Sequence, residues 1–267
     1  MEKFEINKIV FVNVTNYFDK IANVNMDELC GRFSRATLYR LVLPEILIDL
    51  KEVLYLDCDI VVSLNISELW KTHPHKECRA LAGVLEDRGL PFPEDVPRDV
   101  IKVNEIGLSK EHYVNAGVLI MNLEKIREES VVKGTLLNRA FRYINAYNPA
   151  LLDQDFLNAE YLGDIIYVES KYNTDPTDKK YEDPFTIEKI WHFGGHIKPW
   201  VAFTGTNIDI LYWTYFSKTP WNEDLVVSIF NAATNEKYYH RHSSSCILRL
   251  KKQLKANFRR GCKIDYC

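Results

Sequence analysis

The sequence predicts an α/β fold, on three observations. Apolar runs alternate along the chain with stretches of helical periodicity, the layout of an α/β protein. The chain has 267 residues, 46% hydrophobic and 27% charged, which is globular composition for one large domain or two small ones. A chain of this length buries most of its apolar surface without a disulfide scaffold, and none of the six cysteines (Cys30, Cys58, Cys78, Cys246, Cys262, Cys267) falls in a CxxC pair or a zinc-type spacing.

The elements follow in order. Residues 8–14 (KIVFVNV) predict a buried strand. Residues 26–43 predict a helix, with Leu38, Leu41 and Val42 on one face and Pro44 ending it. Residues 53–56 (VLYL) predict a strand that runs directly into Asp57, residues 66–70 a short helix after Asn65, and residues 79–85 (RALAGVL) a further strand. Residues 86–112 are polar and carry Pro91, Pro93 and Pro97; an excursion of that length inside a compact domain is usually functional or a lid. Residues 117–123 (GVLIMNL) read as a strand and residues 124–147 as one long helical pattern. A short helix over 153–161, a strand over 165–168 and a loop over 172–184 complete the middle. Residues 190–193 are apolar and lead into His192-Phe193-Gly194-Gly195-His196. The organisation expected is a body over 1–236 and a separable tail over 237–267.

Net charge is −3, which argues against a general nucleic-acid binder. Residues 237–263 hold nine Lys or Arg and no Asp or Glu, leaving 25 basic against 37 acidic residues elsewhere, a balance of −12. An acidic body with a basic tail points to an anionic surface as the tail's partner. Within residues 246–260, Ile247, Leu250, Leu254 and Phe258 recur at helical spacing with Lys251, Lys252, Lys255 and Arg259 between them, the pattern of a helix lying on an anionic membrane. A solvated terminal helix packed on the body fits the same letters. The first residues lack the apolar core of a signal peptide, no stretch approaches the ~20 apolar residues of a membrane span, and Cys58 between two aspartates is a poor site for a disulfide. A cytoplasmic protein with reduced thiols is expected, peripheral on the inner face of the cell membrane if the tail binds there.

Residues 53–62 (VLYLDCDIVV) carry the most information. In an extended chain, positions two apart face the same way, so Asp57 and Asp59 form a like-charged pair flanked by apolar residues. Such a pair calls for a counter-charge, and a divalent cation with oxygen ligands supplies one. Open parallel sheets bind ligands at the carboxyl ends of their strands, where this pair stands. A solvated turn is the plain alternative. A second alternative is a phosphatase of the haloacid dehalogenase type, with the first Asp as nucleophile; it requires a late acidic pair, and Gly163-Asp164 is followed at the needed position by Val168.

Residues 192–200 (HFGGHIKPW) are the second stretch. The His192 imidazole could complete a metal site with the two carboxylates, Gly194 and Gly195 allow close approach of backbone to an anion, and Lys198 could neutralise a phosphate. Mixed carboxylate and imidazole ligands suit Mn2+, with Mg2+ as substitute. Asp153, near a helix N-terminus, is equally a cap or a functional carboxylate. Asn115, just before a strand, would bond a sugar hydroxyl or make a turn. Arg35 or Arg40 would reach a diphosphate, with surface solvation the fate of one of them.

Together residues 35–41 (RATLYRL) with 43–45 (LPE), 54–59 (LYLDCD), 115–119 (NAGVL), 153–158 (DQDFLN) and 192–200 resemble glycosyltransferase family 8, whose members include bacterial lipopolysaccharide galactosyl- and glucosyltransferases and glycogenin. The resemblance covers about residues 8–200. It implies a GT-A Rossmann-like nucleotide-sugar domain, N-terminally truncated, because family members open with a strand-helix-strand-helix block and about 50–60 residues would be missing, more than loop variation removes. It implies Mn2+ on Asp57, Asp59 and His192, with Asp57 also near the donor; Arg40, Gly195 and Lys198 on the diphosphate; and Asn115, Asp153 and Gln154 around the donor sugar, with Gln154 near the anomeric face as stabiliser or weak nucleophile. The acidic sugar contact maps to Glu86 or Asp87. The implied reaction is retaining transfer of a hexose (glucose or galactose) from a UDP-sugar to a saccharide or lipopolysaccharide-type acceptor. A non-catalytic nucleotide-sugar-binding remnant is the alternative.

Overall fold

The computed structural model describes residues 9–19, 34–86, 110–176, 182–194, 198–202 and 206–235. In chain order the elements are helix α1 (Thr15–Asp19), a 3-10 helix (Arg35–Val42), α2 (Leu43–Ile46), strands β1 (Glu52–Leu56) and β2 (Ile60–Val62), α3 (Ser67–Trp70), β3 (Leu81–Leu85) and β4 (Val114–Asn122). Then come α4 (Leu123–Lys133), α5 (Leu136–Tyr147), α6 (Leu152–Glu160), β5 (Ile165–Val168), β6 (Ile190–His192), α7 (Asn207–Phe216) and α8 (Leu225–Thr234). The chain divides into two compact units, 1–56 with 68–169, and 57–67 with 170–267.

The first unit is built on a sheet ordered β1-β4-β3-β5. β4 is antiparallel to β1 and β3, with Tyr55 opposite Leu119 and Leu81 opposite Met121, and β3 runs parallel to β5, with Leu81 opposite Ile165. All nine residues of β4 are buried, and a strand covered on both faces needs a nearly continuous apolar run. Leu38 and Leu41 of the 3-10 helix, Ile126 of α4, Phe141 of α5 and Phe156 of α6 join Leu119 and Met121 in one core. At α5, Thr135 caps the Asn138 amide at 3.2 Å, after Gly134 has turned the chain at φ +85°.

The second unit contains the antiparallel pair β2–β6, with Ile60 opposite His192 and Val62 opposite Ile190. Its core gathers Val61, Trp191, Phe193, Ile208 and Leu211. The Trp191 indole donates to Ser63 Oγ at 3.2 Å, and Thr206 with Asp209 forms a capping box at α7.

Several expectations need correction. Residues 9–14 form no strand: Phe11 is 94% exposed. An apolar run becomes a strand only beside a free hydrogen-bonding edge, and none of the described strands pairs with it. Pro44 opens α2 instead of ending a helix, since its missing N–H is harmless in a first turn; residues 26–33 lie outside the described residues. The pattern over 124–147 is two helices, α4 and α5, broken at Gly134. The sheet behind Asp57 is mixed, with β1 antiparallel to its neighbour. Residues 58 and 59 form a bend, not extended chain. Cys58 and Cys78 are free, exposed thiols. No helix among the described residues is long and apolar enough to cross a membrane. The tail from residue 236, most of the excursion (87–109), Asp87, Gly195 and His196 lie outside the described residues.

Candidate functional site

The second unit holds the metal-type cluster. The pairing of β2 with β6 extends one residue past Ile60, where the Phe193 amide donates to the Asp59 carbonyl at 2.9 Å. That register sets Asp59 beside His192. Nε2 of His192 lies 3.3 Å from Asp59 Oδ1 and 3.6 Å from Asp57 Oδ2, and one ligand atom from each of the three residues falls within 4.8 Å of the others. His192 is 4% exposed, and its Nδ1 lies 2.9 Å from Oδ1 of the buried Asn173. Two carboxylates and an imidazole nitrogen form a donor set that fits Mn2+ or Mg2+. Burial acts to raise the Asp59 carboxyl, but hydrogen bonds and charge from His192, when protonated, and from Lys198 outweigh it and hold Asp59 well below the usual carboxylate range. The Lys198 ammonium is 2.5 Å from Asp59 Oδ2 and also donates to the Phe193 carbonyl.

The first unit holds a second polar cluster at the start of β4 and α6. Asn115 donates to Glu86 Oε2 at 2.6 Å. Gln154 accepts from the Ala116 amide at 2.9 Å, and its own amide nitrogen lies 3.4 Å from Glu86 and 3.3 Å from the Tyr113 oxygen. Glu86 is buried, at 6% exposure. Asn158 clasps Val114 through both backbone groups, at 2.7 and 2.9 Å. Tyr113 donates to Asp155 at 2.5 Å; burial, reinforced by that carboxylate, pushes the Tyr113 phenol up.

Arg40 and Asp153 are partners. Arg40 Nε lies 3.0 Å from Asp153 Oδ2, both side chains about 5% exposed. The guanidinium covers the Tyr55 ring at 4.4 Å and donates to the Thr37 and Ala116 carbonyls, while Thr37 donates to Asp153 at 2.7 Å. Asp155, in the same first turn, accepts from the Leu151 amide at 2.9 Å. Arg35 is exposed. A cavity of about 540 Å3 on this unit, lined by Thr72, Arg79, His112 and Tyr167 among others, includes none of the candidate residues.

The structure thus brings together Asp57, Asp59, His192 and Lys198 in one unit, and Arg40, Asn115, Asp153 and Gln154 in the other. Sequence reasoning missed Asn173, Thr37 and Tyr113. Each acts on a residue far away in the chain, and no local pattern marks such a link.

Two carboxylates and a histidine gathered beside a strand could hold a divalent cation. The chain belongs to glycosyltransferase family 8, whose signature matches residues 3–204. It is 27% identical over 227 residues to general stress protein A of Bacillus subtilis, covering 77% of this chain and 71% of that one. It is 26% identical over 217 residues to the lipopolysaccharide 1,2-glucosyltransferase of Escherichia coli, covering 75% and 61%. A putative glycosyltransferase of Haemophilus influenzae is 28% identical over 157 residues; the match takes in 58% of this chain but only 44% of that relative. Among solved structures, the galactosyltransferase LgtC in complex with donor and acceptor sugar analogues superposes with a TM-score of 0.56 at 26% identity, covering 75% of this chain and 77% of that one. The bifunctional glycosyltransferase WbbM shares the fold, with a TM-score of 0.56 at 18% identity, over 74% and 38%. The fold is the GT-A type. The phosphatase alternative gains nothing: Asp164 is paired with Lys125 at 2.5 Å, and residue 168 is a valine of β5.

Proposed function

We propose that this chain transfers a hexose, glucose or galactose, from a UDP-sugar to a saccharide or lipopolysaccharide-type acceptor with retention of configuration, using Mn2+ (Mg2+ as substitute) held by Asp57, Asp59 and His192. The observation that carries the proposal is the convergence of those three ligand atoms within 4.8 Å. A cation held by these three residues would supply positive charge to the donor diphosphate and to the charge developing on departing UDP.

The chain's own residues do the rest. Lys198, on a flexible stem beside Asp59, is the cation for a phosphate. Arg40 is buried and fully engaged, which supports a role in holding Asp153 better than direct contact with the diphosphate. Asn115 and Glu86 offer paired donor and acceptor groups to sugar hydroxyls. Gln154, its amide fixed by Ala116 and Glu86, stabilises the anomeric centre together with Asp153. The C1–phosphate bond breaks as the acceptor oxygen bonds C1 from the same face, and the acceptor's proton passes to the released phosphate oxygen, so no separate protein base is needed.

The basic tail over 237–267 would hold the protein to the anionic inner face of the cell membrane, where glycolipid acceptors reside. Sedimentation with anionic liposomes should depend on residues 237–267; equal sedimentation without them removes the tail from the scheme. For the reaction, UDP release from UDP-glucose or UDP-galactose should require Mn2+, and Asp57→Ala or Asp59→Ala should abolish it. Unchanged turnover in either variant overturns the assignment. Binding of Mn2+ and UDP without any UDP release from the sugar donor would leave the binding-only remnant.

A further inference from the structure

The metal reading leaves one question about His192. A neutral imidazole carries its proton on either ring nitrogen, and only the nitrogen without it can donate a lone pair to a cation. With the proton on Nε2, the ring would donate into the two carboxylates and close the position between them. With the proton on Nδ1, Nε2 is open toward Asp57 Oδ2 and Asp59 Oδ1.

The partner that decides between the two is Asn173, whose Oδ1 lies 2.9 Å from Nδ1. Asn173 is 6% exposed and cannot swing into solvent without opening the core. Its backbone is fixed as firmly. The Asn173 amide donates to the Ser170 carbonyl at 3.1 Å, the following Thr174 amide to the Ile190 carbonyl at 2.8 Å, and the His192 amide to the Thr174 carbonyl at 2.9 Å. The Thr174 hydroxyl returns to Ser170 at 2.9 Å. Residues 173 and 174 are thereby laid along β6, with a parallel bridge from Thr174 to Trp191, and the amide and the imidazole are set in fixed register. Asn173 supplies a neutral acceptor where many metal histidines have a carboxylate, so the two aspartates remain the charged ligands.

We propose that Asn173 is a positioning residue of this metal site, holding His192 in the Nδ1-protonated tautomer with Nε2 open to a divalent cation. The inference rests on the metal reading above and adds to it a residue that touches neither ion nor substrate. It predicts that the acceptor function matters and the amide nitrogen does not. Asn173→Asp, which keeps an acceptor oxygen, should retain Mn2+ affinity, whereas Asn173→Ala should lose about 10–100-fold, the usual effect of removing such a partner.

The test is titration of the full chain with Mn2+ alone, free ion read by electron paramagnetic resonance, on the wild type, Asn173→Ala and Asn173→Asp. Weakening by alanine and rescue by aspartate support the proposal. Wild-type affinity in Asn173→Ala, or an aspartate variant as weak as the alanine one, overturns it. Nitrogen-15 spectra of the wild-type histidine rings, with the His192 signals assigned by their loss in His192→Ala, decide the matter without any mutation of Asn173. In the neutral ring, protonation at Nδ1 is expected, and protonation at Nε2 overturns the proposal. A wild-type protein that takes up no Mn2+ sinks the metal reading itself, while the ring spectra still decide the tautomer.

Discussion

Arg40 and Asp153 show how far a residue's role departs from its type. Each is a candidate contact for a sugar nucleotide, yet in the fold each is the other's counter-ion, about 5% exposed. Their 113-residue separation hides this in the sequence, because charge pairing across two elements leaves no periodic trace. Removing one member of a buried pair strands the other in a poorly solvating interior, at a cost of about 3–5 kcal/mol. Asp153→Ala should therefore lower unfolding free energy by about that amount in urea melts. Replacing both residues with apolar ones of similar size should recover most of the loss. A single mutant as stable as the wild type would mean that the pair contributes nothing to folding.

At the scale of elements, β1, β3, β4, β5 and α6 could all be read from the amino-acid order. Their apolar runs are short, bounded and, for β4, buried throughout. The failures share a cause. The run over 9–14 has a strand's composition, but pairing is a property of a neighbour, not of the run. The break between α4 and α5 depends on the single residue Gly134, whose backbone at φ +85° and ψ 167° suits glycine alone. Added bulk is not the obstacle, since the nearest atom to a new Cβ is the Arg142 guanidinium at 3.6 Å. Gly134→Ala should lose about 1–3 kcal/mol through backbone strain, read as a lower denaturation midpoint with unchanged helix content. Gly83 is the opposite case: a Cβ there meets the side chains of Leu119 at 3.0 Å and Val114 at 3.3 Å, which would have to give way. The candidate site was legible as residue types and chain order, since Asp57, Asp59 and His192 do converge. The partners that orient them were not, because Asn173 reaches His192 only through the bridge to β6.

For the whole molecule, the boundary between the two units carries no mark in the sequence, because the first strand of the second unit, β2, follows β1 after only three residues. Stability should also depend on pH through groups remote from the site. Burial pushes the Glu45 carboxyl up from 4.5 to about 7, only partly opposed by a backbone hydrogen bond and by Arg139. Its Oε2 meets no hydrogen-bond partner among the described residues. The folded state therefore holds a proton that the unfolded chain has released, so stability falls as pH rises from about 4.5 to 7 and levels off above. Glu45→Gln should remove that slope, its advantage over the wild type growing between pH 5 and pH 8 in urea midpoints. Asp59 acts in the other sense. Held below its ordinary 3.8, it contributes stability present above that value and lost as the solution becomes more acid.

Two strands of three residues each, β2 and β6, are a thin ladder for the residues that would grip a cation, and an isolated two-stranded pair is marginal in water. Whatever ties Asp59 to His192 also pins that ladder shut, so occupancy should be written into the backbone amides. Chelation should quicken deuterium uptake at Val61 and Trp191 and leave Leu119 and Ile120, deep in the other unit's sheet, at their former pace. Uniform quickening across both sheets would mean that the ion is felt by the protein as a single cooperative body.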